Sequence, residues 1–96
     1  MLRSAIVLAG LMAAPALASS HFQAEPAVAP IVDRIVARDT IWNRNGPTFE
    51  AGKSNSRPAV VCAVFVKQVG ALKSFRIAGA PIAADDLQKC NARARR

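Results

Sequence analysis

Residues 56–70, SRPAVVCAVFVKQVG, decide the fold class, because the segment suits either a helix or a strand. Five valines and a phenylalanine favour a strand. The flanking residues favour a helix, since Ser56 can cap its N-terminus, Pro58 suits the first turn and Gly70 suits a left-handed terminator. We predict a helix over residues 58–70, with a strand as the alternative.

A helix over this segment has one continuous apolar face. The residues that share it are Ala59, Cys62, Val66 and Val69, with Ala63 beside them. This face needs cover from another part of the chain.

The sequence after this segment predicts a short strand and a second helix. Residues 72–77, LKSFRI, alternate along the chain, and Gly79 and Pro81 indicate a turn after them. Residues 84–95 favour a helix, because acidic side chains occupy its first turn and arginines its last, in line with the helix dipole.

The sequence before this segment predicts a second strand and a loop. Residues 34–42, RIVARDTIW, are rich in β-branched and aromatic side chains and suit an extended strand. Residues 43–57 are predicted to be a polar loop that begins with the turn signal Asn45–Gly46–Pro47. Residues 19–33 contain two prolines and no periodicity, so we predict a flexible leader there.

The first eighteen residues have the pattern of a secretory signal peptide. A basic start, MLR, precedes an uncharged run that ends in Ala16–Leu17–Ala18, the small-residue pattern that signal peptidase accepts. The run is shorter than the roughly 20 residues that a membrane-spanning helix needs. We therefore expect cleavage between Ala18 and Ser19, a periplasmic or secreted protein, and no transmembrane segment in the mature chain.

Export makes a disulfide between Cys62 and Cys90 the expected state of the two cysteines in the chain. Its loop-closure entropy corresponds to about 3.5 kcal/mol. Because Cys90 and Leu87 share a helical face, the bond predicts that this face covers the apolar face of the helix over residues 58–70. Two free buried thiols are the alternative. A thiol-redox role lacks the usual Cys-x-x-Cys motif.

These elements together predict a small, single, disulfide-linked α+β domain over residues 34–96. We expect it to contain two short strands and one or two helices.

Four strings resemble a family of small, exported, uncharacterised bacterial proteins. They are DTIW (39–42), SRPAVVCA (56–63), VGALKSF (69–75) and LQKCNAR (87–93). Many members of that family carry two more cysteines just after the tryptophan, but residues 43–49 contain none. The resemblance implies export and a shared small fold, and it implies no activity.

Candidate chemical residues are few. We find no catalytic constellation, predict no cofactor and expect a non-enzymatic protein. The weak metal candidate is His21, because cleavage after Ala18 would place it third in the mature chain, a spacing suited to square-planar Cu(II) or Ni(II).

The charge balance is the strongest functional signal. The chain has 13 lysines and arginines against 6 aspartates and glutamates, a formal net charge of +7. Its few aromatic residues are poor material for base stacking, and export separates it from nucleic acid, so we do not expect nucleic-acid binding. We expect an exported envelope protein whose basic surface binds anionic envelope components or an envelope protein. A solvated basic surface that has no partner is the competing interpretation of the same charge. The alternatives are a weak N-terminal Cu/Ni-binding protein and, less favoured, a thiol-redox protein.

Overall fold

A computed structural model describes residues 20–94 as one antiparallel sheet with two helices on one of its faces. The strands are β1 (Phe22–Pro26), β2 (Arg34–Ala37), β3 (Thr40–Asn45), β4 (Thr48–Ala51), β5 (Leu72–Ile77) and β6 (Ala80–Pro81). The helices are α1 (Pro58–Val69) and α2 (Ala84–Asn91). Across the sheet the strands lie in the order β2-β3-β4-β1-β5-β6.

The core lies between one face of the sheet and α1. Its largest fully buried side chains are Trp42, Phe22, Phe49, Phe65, Phe75, Val66 and Cys62. The Trp42 ring stacks on Phe65 of α1 with 4.1 Å between the ring centroids. The buried indole N–H donates to the Thr40 hydroxyl at 2.9 Å, and that hydroxyl donates to the Ala37 carbonyl at 2.8 Å. The tryptophan is therefore buried with its polar atom satisfied.

The segment that decides the fold class is a helix, as we predicted. Pro58 occupies the first turn, where its missing N–H costs nothing. Gly70 ends the helix with a φ of 88°, and its N–H donates to the Val66 carbonyl. The predicted cap at Ser56 is wrong, because the N-cap residue is Arg57 and it makes no side-chain capping bond.

The prediction of a flexible leader over residues 19–33 is wrong for Phe22–Pro26, which forms the strand between β4 and β5. Phe22, Ala24 and Pro26 alternate as buried residues on the inner face. The segment carries little local strand signal, because alanine and proline have low strand propensity. It is extended because strands on both sides bond to its backbone. Residue 19 and the predicted signal peptide lie outside the described residues.

The predicted strand over residues 34–42 is a hairpin instead. β2 and β3 pair antiparallel around Arg38 and Asp39, and Arg38 has a φ of 63°. This turn contains no glycine or asparagine, and Asp39 alone has a turn preference, so the sequence gives little sign of it.

The predicted loop over residues 43–57 is also partly strand, since it contains the end of β3 and all of β4. The turn predicted at Asn45–Gly46–Pro47 is confirmed, because Gly46, with a φ of 66°, lies between β3 and β4.

The C-terminal predictions are largely confirmed. β5 spans the predicted residues 72–77, and α2 forms, although it ends at Asn91 rather than at residue 95. Cys62 and Cys90 form a disulfide with their Cα atoms 5.9 Å apart. A small disulfide-linked domain of sheet and helices is therefore confirmed, and two strands is too few because the sheet has six.

Candidate functional site

Helix α1 is apolar around its whole circumference from Pro58 to Val66, although the sheet covers only one side of it. Val61, Cys62, Phe65 and Val66 are buried. An α-helix at a protein surface normally carries polar residues on its outer side. The outer side of α1 is therefore the first candidate for contact with a ligand or partner.

Helix α2 forms a wall beside α1 and is fixed there at two points. One is the disulfide between Cys62 and Cys90, both of which are buried. The other is Asn91, whose side-chain oxygen accepts from the Leu72 N–H at 2.8 Å and whose side-chain nitrogen donates to the Leu72 carbonyl at 3.0 Å. The Asn91 amide thus bonds to β5 as the peptide group of a neighbouring strand would.

A groove of about 600 Å³ follows the outer side of α1 and is bordered by α2. Its apolar lining combines residues of α1 with others from β5 and the segment before α2: Pro58, Ala59, Val60, Ala63, Val64, Phe75, Ile77 and Ile82, of which Phe75 is buried. The disulfide also contributes to the lining. Its volume lies within the range of about 300–1,000 Å³ that is typical of ligand-binding pockets.

Five basic side chains line the same groove, and we call them the groove cations: Arg38, Arg57, Lys67, Lys89 and Arg93. All five are exposed. Asp86 is the one carboxylate in the lining among the described residues. Within residues 20–94 the ion pairs are Arg44–Asp33 and Lys73–Glu25, so none involves a groove cation. The groove therefore combines an apolar lining with an excess of uncompensated positive charge.

One groove cation occupies a strained backbone position. Arg38 lies in the turn between β2 and β3 with a φ of 63°, a region that side chains other than asparagine, aspartate and glycine seldom adopt. Such a conformation costs of order 1–3 kcal/mol. Ala78, with a φ of 51° in the turn after β5, has it as well and lies outside the groove lining, so the conformation by itself does not mark the groove.

The predicted site residues fall in two different places. Cys62 and Cys90 are brought together in the groove lining, and no cysteine within residues 20–94 is free. His21 comes directly before β1 and is not among the residues that line the groove, and its ring is edge-on to Phe22 at 4.7 Å between the ring centroids. The Ala18–Ser19 cleavage site lies outside the described residues.

The backbone of His21 takes part in the sheet, which bears on the metal hypothesis. Its N–H donates to the Ala51 carbonyl at 2.9 Å, and its carbonyl accepts from the Ala78 N–H at 2.7 Å. A square-planar site that used the His21 backbone nitrogen would have to break the first bond. Residues 20–94 contain no group of three or more metal-ligating side chains placed to hold an ion.

No local pattern in the sequence identifies the groove cations. The apolar stretch of α1 was visible in the sequence, but the groove cations are spread over positions 38–93 and share no motif. No helix in the described part of the chain has the length and apolar character that crossing a membrane requires.

A family model described as "Family of unknown function (DUF8200)" matches residues 7–92. No curated protein and no solved structure matches the chain.

Proposed function

The chain belongs to this family of unknown function, DUF8200, and from that premise we propose that it is a small, exported, non-enzymatic envelope protein that binds anionic envelope components through its groove. The observation that carries the proposal is the concentration of five exposed cations and one carboxylate around one apolar groove. Positive charge of this kind attracts anionic surfaces such as lipid head groups.

Binding rather than catalysis is assigned to the groove because of its lining. The described residues that line it contribute one carboxylate, and no hydroxyl or imidazole side chain. General acid–base and nucleophilic catalysis rely on such groups held within hydrogen-bonding distance of one another.

Vesicle co-sedimentation tests the proposal. The protein should bind vesicles of mixed anionic and zwitterionic phospholipid, should bind purely zwitterionic vesicles weakly, and should be released as salt rises through about 0.1–0.3 M. The variant Lys67→Glu/Lys89→Glu reverses two groove cations. Since each basic residue near an anionic surface contributes about 1 kcal/mol, affinity should fall by at least about thirtyfold.

The matched control is Arg34→Glu/Arg76→Glu, which makes the same change in net charge on the face of the sheet that is turned away from the helices. This variant should keep most of the affinity. Equal losses in both variants would assign the binding to net charge rather than to the groove, and salt-independent binding would contradict an electrostatic mechanism.

Export has its own test, because the predicted signal peptide lies outside the described residues. The intact mass of protein recovered from the periplasm or medium should correspond to a chain that starts at Ser19. A mass that includes Met1 in that fraction would contradict cleavage after Ala18.

A further inference from the structure

The outer side of α1 offers hydrocarbon rather than hydrogen-bonding groups. Between Pro58 and Val66 the helix has no charged, amide or hydroxyl side chain. Ala59 is exposed, and Val60, Ala63 and Val64 are half-buried. Covering these side chains with an apolar group would remove hydrocarbon surface from water, the largest favourable contribution in most binding reactions.

The polar part of the groove lining consists of charged groups. The five groove cations and Asp86 are its charged members, and the described lining residues include no amide, hydroxyl or imidazole side chain. Sugars and nucleobases are usually fixed by hydrogen bonds to such neutral polar groups or by exposed aromatic rings. A ligand that matches this lining has an apolar body and a negative charge.

The volume of the groove favours a small ligand. The groove provides about 600 Å³, within the range of about 300–1,000 Å³ that is typical of small-molecule sites. Its walls are fixed relative to each other, because the disulfide joins α1 to α2 and Asn91 fixes the end of α2 to β5. A single hydrocarbon chain is a ligand of this size, and an acidic amphipathic helix is the competing occupant that the test must exclude.

We propose that the groove binds a single-chain anionic amphiphile, with the acyl chain along α1 and the head group against the groove cations at one end of that helix. This deepens the proposed function and rests on it, since it names the anionic component. It also explains why apolar and cationic residues occur together, because a purely electrostatic site has no need of the exposed apolar side of α1.

Calorimetric titration with laurate below its micelle concentration tests the proposal. The protein should bind laurate saturably, with one site per chain. Ala63→Phe places a ring in the groove without altering its charge and should weaken laurate binding at least tenfold. Ala59→Phe is a second blocking variant at an exposed position, in case the half-buried Ala63 site does not accept the ring. Ala84→Phe, at an exposed α2 residue outside the groove lining, is the matched control and should bind like the wild type.

The charged end of the ligand is tested separately. Monolauroylglycerol carries the same chain without a charge and should bind at least tenfold more weakly than laurate. Lys67→Glu/Lys89→Glu should weaken the binding of laurate and leave the affinity for monolauroylglycerol unchanged. Equal affinity for the two amphiphiles would overturn the assigned role of the groove cations.

The outcomes separate this proposal from the proposed function. The Ala63→Phe and Ala59→Phe variants should lose affinity for laurate and should still bind anionic vesicles through the groove cations. If the wild type binds anionic vesicles but not laurate, the amphiphile proposal is overturned and the proposed function stands. If an acidic amphipathic peptide binds, both variants abolish its binding, and laurate does not compete, the groove is a peptide site and the proposal is again overturned. If neither vesicles nor laurate bind, both proposals fail.

Discussion

The two sides of the molecule use their charges differently. On the open sheet face, the side turned away from the helices, Glu50 accepts hydrogen bonds from Ser20, Gln23 and Asn45 at 3.0, 3.3 and 3.0 Å. Lys73 pairs with Glu25 on the neighbouring strands. On the groove side, five cations line one groove and none is part of an ion pair within the described residues.

The excess of basic residues is therefore concentrated at the groove rather than spread evenly over the surface. On the open sheet face the carboxylates Glu25 and Glu50 have charged or polar partners. The cations Arg34 and Arg76 of that face are in no ion pair within residues 20–94, but they lie on separate strands rather than around one apolar groove. Unpaired cations around the groove repel each other, and the apolar outer side of α1 is in contact with water. A ligand with a negative charge and an apolar chain would relieve both unfavourable contributions. Three sets of variants test this contrast.

The disulfide has the largest expected effect. Cys62→Ala/Cys90→Ala should lower the free energy of unfolding by about 2–5 kcal/mol, because the unfolded chain gains conformational entropy when the bond no longer closes the loop between the two positions. The measurement is urea unfolding, with hydrogen exchange as a second readout. Exchange should accelerate in α2 more than in β1, β4 and β5, since the bond joins the helices and the sheet has its own backbone pairing.

The control for the disulfide is reduction of the wild type, which should reproduce the loss, whereas reductant should not affect the double variant. Thiol labelling of the unreduced native protein should find no reactive cysteine. A double variant as stable as the wild type would show that other contacts hold α2 on the sheet.

The amide of Asn91 has the second largest effect. Asn91→Ala leaves the N–H and the carbonyl of Leu72 without their side-chain partner and should cost about 1–3 kcal/mol. Glu50→Ala removes three hydrogen bonds from the open sheet face, but water replaces them, so its cost should stay below about 1 kcal/mol. Thermal unfolding of both variants measures the difference. A larger loss of stability in Glu50→Ala than in Asn91→Ala would contradict the expected contrast between the two sides of the molecule.

Arg38 has the smallest effect on stability. Arg38→Gly removes a groove cation and relieves the strain of a φ of 63°, so unfolding free energy should stay equal or rise by up to about 1 kcal/mol. Binding to anionic vesicles should weaken about fivefold, the equivalent of about 1 kcal/mol for one cation. Gly46→Ala, at a φ of 66° outside the groove, is the control and should lose stability without losing affinity. Loss of stability in Arg38→Gly would show that its side chain supports the fold.

Local signals in the sequence were enough to predict some elements of the fold. Pro58 and Gly70 bracket α1 because each has a backbone preference of its own, independent of the rest of the chain. Asn45–Gly46–Pro47 indicated a turn for the same reason. The expectation of export and the presence of two cysteines were enough to predict the disulfide, since no other pairing exists in the chain.

The tertiary structure decided the rest. β1 is a strand because β4 and β5 bond to it from both sides, and this pairing across more than twenty positions has no trace in the residues of β1 themselves. The candidate site is equally non-local. Its cations come from a hairpin turn, the start and end of α1, and the end of α2, and their side chains are neighbours only after the sheet and the disulfide place those elements together. Net positive charge was a property of the sequence, whereas its concentration beside an apolar helix is a property of the fold.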